Sequence, residues 1–412
     1  MKYILVVGDG MADDPIPELN NKTPLEYAKT PTMDMLAGSG ILGNATTIPE
    51  GMQAGSDTAF LSILGLDPKK YFTGRAPLEA AATGIKLFPG DVAYRCNMLS
   101  IEDADIPFEE KKIRSHSAGS IDGIQSDTLI TDLFNTPEFK KTAEKASITI
   151  HPGSSFRHIA VQKAEKAGGQ DFCSLTPPHD HLDEALGQYL PKGEENAKAL
   201  RKLIRLSNEI LDNHPINTKR RAKGKLPANC IWFWAEGTSA PLPNFSEMYG
   251  KTGSVISAVP LCQGIGVLVG LKKISVQGAT GELNTNYEGK ADAAVKSLEA
   301  KDFTLLHIEA PDECTHNGDL KGKLQAIEWI DSRALTPLLK KLNEANEDYR
   351  LLLMSDHRTL TSTRGHDGEQ VPYLIYDSRK NSSTGLKFTE KDASAAKNAV
   401  NGSELMSLLF KE

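Results

Sequence analysis

Three short apolar runs each end at an aspartate. "KYILVVG" (2–8) runs into Asp9, "FTLLHIEA" (303–310) stops just before Asp312, and "YRLLLMSD" (349–356) ends on Asp356, with His357 next in the chain. Runs this short, bounded by polar or turn residues, suit central strands of a sheet covered on both faces. Helical periodicity fills the spaces between them, in "KADAAVKSLEA" (290–300) and "LKGKLQAIEWIDSRALTPLLKKLNEAN" (320–346). Strands alternating with helices predict an α/β architecture with a mostly parallel sheet. Ligands of such sheets gather beyond the carboxyl ends of the strands, so Asp9, Asp312 and Asp356 share one address. A single run-ending Asp is commonly a turn residue. Three of them, two with a histidine within four residues, make a stronger pattern.

The alternation fades from about residue 88 to 240 and returns with "GSVISAVPLCQGIGVLVGLKKISV" (253–276). A chain of 412 residues exceeds one typical core. We therefore expect one domain made of 1–87 and 241–412, and a smaller α+β domain, 88–240, inserted into it. Acidic residues follow the first apolar run at once and no small-residue cleavage site appears, so the N-terminus reads as a buried strand rather than a signal peptide. No apolar run is long enough for a membrane span. The five cysteines, at 96, 173, 230, 262 and 314, form no CxxC pair, which suits a reducing cytoplasm. The net charge of −7 argues against a general nucleic-acid surface. It leaves room for an anionic substrate, because a local cluster of cations or a metal inverts the field in a cleft. Oligomeric state is left open.

"APDECTHNGD" (310–319) carries Asp312 and His316 four residues apart, a spacing that puts both on one face of a helical turn. "SDHRTLTSTRGHDG" (355–368) carries Asp356, His357 and His366. With Asp9 these make a donor set of carboxylate and imidazole, which suits Zn or Mn and, where carboxylates dominate, Mn or Mg. His307 and His214 read as structural histidines. "GMQAGSDTAFLSILG" (51–65) places Ser56 before an apolar helical run. Locally a helix cap is its commoner role; a nucleophile at a helix N-terminus is the other. Trp232 and Trp234 alternate in "WFW": stacking on a ligand is one role open to them, and packing a strand is the commoner one.

The order Asp…Ser…Asp-xxx-His…Asp-His…His is similar to that of the alkaline phosphatase superfamily. Within it, the chain resembles the archaeal-type branch of the 2,3-bisphosphoglycerate-independent phosphoglycerate mutases. The motifs are "GDGMAD" (8–13), "KTPLEYAKTPTMD" (22–34), "GSDTAFLSILG" (55–65), "TGRAPLEAAATGI" (73–85), "DVAYRCNM" (91–98), "GATGELNTNYEGKA" (278–291) and "EAPDECTHNGD" (309–319). The resemblance implies an alkaline phosphatase-like core and two divalent ions, Mn foremost, with Zn, Mg or Co also suited. Asp312, His316 and His366 would hold one ion; Asp9, Asp356 and His357 would hold the other, with Ser56 beside it. Ser56 would be the nucleophile that accepts a phosphoryl group and passes it between the two hydroxyls of a small phosphorylated acid, 3- and 2-phosphoglycerate. The inserted domain would supply cations for that acid and exclude water; Arg95, Arg157 and His158 are the candidates, with Arg114 weaker. Lys290 and Arg75 lie in family-like motifs. "DNHPINTKRRAKGKLPANCIWFWAEG" (212–237) and "TPPHD" (176–180) resemble instead a bacterial subset proposed as homoserine kinases, for which Asp180 would face an ammonium group. A metal-dependent phosphatase on the same core is a further alternative. The family usually has Gly where Ala235 stands.

Overall fold

The computed structural model describes residues 1–153, 155–167, 173–239, 241–380 and 383–411. The chain divides into two compact units, one of Met1–Phe72, Ala81–Thr83 and Pro241–Glu412, the other of Thr73–Ala80 and Gly84–Ala240. Residues 73–80 and 84–87 thus group with the second unit, where the sequence placed them in the first.

The first unit is built on an eight-stranded sheet in the order Ala399–Asn401, Ile41–Thr46, Val371–Asp377, Tyr349–Met354, Lys2–Gly8, Phe303–Ile308, Gly253–Ile256, Lys272–Ile274. Five of its seven pairings are parallel. The three aspartate-ended runs are its adjacent central strands, in register at Val6, Leu306 and Leu353. Their side chains are buried on both faces, as continuous apolar runs require. Helices Tyr287–Leu298 and Leu320–Trp329 cover one face. The long helix expected over 320–346 is helical from 320 to 344 but contains a π-turn at Ile330–Leu335. Two causes act there. Pro337 has no N–H to give the ladder, and Asp331 turns inward to accept from the backbone N–H groups of Thr32 (3.3 Å) and Met33 (2.7 Å) at the start of the helix Pro31–Ser39.

The second unit is α+β. Its antiparallel sheet runs Ile113–Ser115, Val92–Ile101, Arg157–Gln162, Ile148–His151, and Cys230–Thr238 pairs along the other edge of Val92–Ile101. The amphipathic helix Glu195–Leu211 packs its Leu and Ile face on this sheet. Trp232 and Trp234 are both buried, and each indole N–H is bonded within the unit, to Thr176 O (2.8 Å) and Asn97 Oδ1 (3.0 Å).

The strand Cys230–Thr238 carries one extra residue between Trp234 and Gly237 against its partner. Ala235 takes up this bulge at φ 53°, in the left-handed region. A side chain there costs about 1–2 kcal/mol, while glycine's added unfolded-state entropy costs about 0.5–1 kcal/mol. Ala235→Gly is therefore expected to raise stability by about 0.5–1 kcal/mol. Urea unfolding checks it; a lower midpoint would contradict the strain.

Candidate active site

All seven donors expected in the first unit converge beyond the carboxyl ends of its central strands. Asp9 follows the strand Lys2–Gly8. Asp312 and His316 lie on the helix Ala310–His316, one turn apart as their spacing predicts. Asp356 and His357 follow the strand Tyr349–Met354, and His366 sits on the small hairpin Arg358–Leu360 with Gly365–Asp367. The Nε2 atoms of His316 and His366 lie 3.2 and 3.1 Å from the two carboxylate oxygens of Asp312, and 2.9 Å from each other. The Nε2 of His357 is 3.5 Å from Asp9 Oδ1 and 3.3 Å from Asp356 Oδ2. Ligand atoms of Asp312, His316 and His366 lie within 4.8 Å of one another, and so do those of Asp9, Asp312 and His357. Asp312 therefore belongs to both groups.

Ser56 is the first residue of the helix Ser56–Ile63. Gly55 holds the cap position and no side chain caps the helix. The cap reading of Ser56 is corrected: its Oγ faces away from that role. It donates to Asp9 Oδ2 (3.4 Å) and lies 3.1 Å from His357 Nε2, at the positive end of a helix where an anion is favoured.

The electrostatics of this nest are those of a cation site. Burial and the neighbouring Asp356, Asp312 and Glu309 push the Asp9 carboxyl well up. Burial also pushes Asp312 up, but bonds from His316 and His366 outweigh it and hold that carboxyl well down. Its hydrogen bond to Asp312 raises His316 to about 9. Burial lifts Glu309 to about 8, with Asp312 and Glu313 adding to it. Asp9 Oδ1 and Asp356 Oδ2 are buried with no hydrogen-bond partner. Acceptor atoms facing each other at such distances repel unless a positive charge lies among them. The donor set of carboxylates and imidazoles, without thiolate, fits hard or borderline divalent metals.

Residues behind the donors hold them in place. Arg364 O accepts from His316 Nδ1 (2.8 Å), which turns Nε2 inward. Gly10 has φ +63°, and a Cβ there would lie 2.4 Å from Thr359 Oγ1 and 2.9 Å from the Asp312 backbone; only glycine lets the loop after Asp9 pass this close. His307 was expected to be structural with no ligand role, but it bonds directly to Asp9. Its Nε2 is 2.9 Å from Asp9 Oδ2, and its Nδ1 is 2.8 Å from Ser257 Oγ. Burial holds it neutral, near 3. The signal was available: a histidine inside the otherwise apolar buried run "FTLLHI" must find a polar partner. Lys290 is buried beneath the same strand, donates to His307 O (3.2 Å), and is pushed down to about 8 by burial.

The expected substrate cations lie in the second unit. Arg95 is buried, donates through Nε and Nη2 to both carboxylate oxygens of Glu79, and stacks 4.7 Å over Trp234. Arg157 makes no hydrogen bond or ion pair among the described residues. It lies over the rings of Phe156 (5.2 Å) and Trp234 (5.9 Å), and its Nε is buried without a partner. Burial and the neighbouring Arg95 push it down to about 10. His116 and His179 stand at ring distance from Phe156 and Trp234 in the same patch. His158 is not part of it, a correction to the sequence reading. It is fully buried, its Nδ1 accepts from Gly153 N–H (3.0 Å), and its Nε2 is 2.9 Å from Ser126 Oγ. Arg114 is on the surface, paired with Asp183 (2.7 Å) and Glu102 (2.5 Å). His214 caps its own helix by accepting from Ile216 N–H (3.2 Å), a structural role.

A serine at a helix start, facing clustered carboxylates and imidazoles at the end of a parallel sheet, defines a class: α/β proteins equipped for chemistry on anionic esters with candidate metal ligands. The family model of 2,3-bisphosphoglycerate-independent phosphoglycerate mutase matches residues 37–217. A Methanosarcina acetivorans protein named 2,3-bisphosphoglycerate-independent phosphoglycerate mutase is 42% identical over 100% of both chains. Among solved structures, a Pyrococcus horikoshii protein is 30% identical with a TM-score of 0.82, over 100% of this chain and 98% of that one. A cofactor-independent phosphoglycerate mutase from Thermoplasma acidophilum is 25% identical with a TM-score of 0.62, over 99% of each. The chain belongs to the 2,3-bisphosphoglycerate-independent phosphoglycerate mutase family. No helix among the described residues is long and apolar enough to cross a membrane.

Proposed function

We propose that the protein is an isomerase that interconverts 3-phosphoglycerate and 2-phosphoglycerate through a phosphoserine at Ser56. The observation that carries this reading is the seat of Ser56 Oγ, at a helix start between Asp9 Oδ2 and His357 Nε2, in a chain of this family. Asp312, His316 and His366 would hold one divalent ion, and Asp9, Asp356 and His357, with Ser56, a second, with Asp312 within reach of both; Mn suits both. Bound there, such ions neutralise phosphoryl oxygens and lower the pKa of the serine hydroxyl.

The chain's own groups do the rest. Asp9 Oδ2 and His357 Nε2 are the acceptors within reach of the Ser56 hydrogen. Ser56 Oγ bonds to phosphorus as the bond from phosphorus to the acid's oxygen breaks, and that oxygen takes up the hydrogen that Ser56 gave up. The glycerate is kept, and its other hydroxyl takes the phosphoryl group back, freeing Ser56. Keeping glycerate requires a cation for its carboxylate. Arg157, unpaired and stacked on aromatic rings, fits that task with His116 and His179 beside it, whereas the charge of Arg95 is already answered by Glu79. Five buried free thiols suit a reducing cytoplasm.

The test is an enolase-coupled assay with Mn²⁺ and 3-phosphoglycerate and no 2,3-bisphosphoglycerate. Production of 2-phosphoglycerate is expected. Its failure with metal-loaded protein, together with ATP-dependent phosphorylation of homoserine, would replace this reading. In the same assay Arg157→Met should raise KM by about tenfold or more, since a desolvated charge pair is worth about 2–5 kcal/mol. An unchanged KM would return Arg157 to a packing role.

A further inference from the structure

Thr359 occupies a crossing point in the first unit. It follows His357 by two residues, and the hairpin register sets it directly opposite His366. The residue is fully buried, and all its polar groups are engaged. Its N–H donates to Ala12 O (3.1 Å). Its carbonyl accepts from Lys323 Nζ (2.6 Å), and Lys323, also fully buried, is anchored by Asp13 Oδ2 (2.8 Å). Its hydroxyl lies 2.6 Å from Asp312 Oδ1 and 3.3 Å from His357 Nδ1.

That hydroxyl has one hydrogen to give. The shorter contact is to a carboxylate, which only accepts, so the hydrogen goes to Asp312. The remaining contact is favourable only if His357 Nδ1 carries a hydrogen and donates it to Oγ1. His357 is then the tautomer whose Nε2 lone pair is bare. The same nitrogen lies 3.1 Å from Ser56 Oγ and within 3.5 Å of carboxylate oxygens of Asp9 and Asp356. One side chain thus fixes the orientation of Asp312 and presents the lone pair of His357.

We propose that Thr359 is a positioning residue that sets the tautomer of His357 and locks it to Asp312, with the Lys323–Asp13 pair clamping its backbone. The inference rests on the metal-site reading above and adds to it a residue outside the donor set. Partners of this kind, one shell behind the ligands, typically change metal affinity by about 10–100-fold when removed.

The experiment is calorimetric titration of Mn²⁺ into the metal-stripped protein, alongside thermal unfolding and steady-state kinetics. Thr359→Val keeps the volume and removes the hydroxyl; Thr359→Ser restores it. We expect Thr359→Val to weaken Mn²⁺ binding by about 10–100-fold and lower kcat more than it raises KM, with little change in the unfolding temperature of the metal-free protein. Thr359→Ser should return affinity to within about threefold of wild type. Where Thr359→Val does not fold, Thr359→Ala, with the same expected loss of affinity, takes its place. Wild-type affinity in a hydroxyl-free variant overturns the proposal alone, as does a serine variant as weak as the valine one. A wild-type protein that binds no divalent ion overturns the metal-site reading and this proposal with it.

Discussion

Ser56→Ala is expected to leave a folded protein that still binds divalent metal and transfers no phosphoryl group. Three features predict a clean separation. Ser56 is not the helix cap, since Gly55 holds that position and no side-chain bond closes the helix end; losing the hydroxyl therefore removes no capping energy. The Oγ contacts are to Asp9 and His357, both held independently. Asp9 is bonded by His307 (2.9 Å), and His357 by Thr359 (3.3 Å). The remaining donors do not depend on the serine for their arrangement. Activity does, because a nucleophile that works as a unit with its activators costs roughly 10⁴-fold or more when deleted. The check is threefold: unfolding temperature, Mn²⁺ binding, and turnover of 3-phosphoglycerate, with capture of phosphoserine at Ser56 in the wild type. Turnover within about tenfold of wild type in a serine-free preparation would remove Ser56 from the chemistry, given the size of the expected loss.

The parts of this site that the sequence made legible are those that depend on chain-local rules. A buried strand ends where its apolar run ends, and a parallel sheet brings such ends together, so Asp9, Asp312 and Asp356 could be grouped from spacing alone. The four-residue interval from Asp312 to His316 is a helical turn and behaves as one. Arg157 and His158 show a local rule that was available and decisive. Neighbours on a strand face opposite sides, so both could not serve one ligand, and the structure buries His158. What local rules did not reach is pairing across long separations. Glu79 neutralises Arg95 sixteen residues away through two bonds that no periodicity announces. Residues 73–80, which carry Glu79, group with the unit that holds Arg95. The bulge at Ala235 was visible only as a doubt, an alanine where glycine is usual, and proves to be a left-handed residue beside Trp234. Lys323 bonds to Asp13 across 310 residues and is fully buried, a pairing that the helical periodicity of 320–346 does not announce.

Removal of metal is expected to abolish activity and lower stability together, and His316→Ala to divide the two ions. Asp9, Asp312, Asp356 and Glu309 crowd one buried region, and their mutual repulsion adds to burial in pushing Asp9 and Glu309 up. A bound cation relieves that repulsion only in the folded state, so it stabilises the fold by mass action, about 2.7 kcal/mol at a hundredfold excess over its dissociation constant. Stripping with chelator should therefore lower the unfolding temperature, and Mn²⁺ should restore both it and turnover. Metal analysis should approach two ions per wild-type chain, one for each group of donors. His316 contributes only to the group with His366, its Nε2 lying 2.9 Å from that of His366 and 3.2 Å from Asp312. It is the most accessible of the carboxylate and imidazole donors, so its loss disturbs packing least: its side chain is 35% exposed, against 18% for His366 and 8% or less for Asp9, Asp312, Asp356 and His357. His316→Ala should then hold one ion, keep a near-normal fold, and lose activity by on the order of 10²-fold or more, since one ion's charge stabilisation of the transferring group is worth several kcal/mol. Asp312 belongs to both groups, so Asp312→Asn should weaken both ions, a contrast that separates a shared ligand from a terminal one. Equal metal content in wild type and His316→Ala would contradict two sites divided in this way.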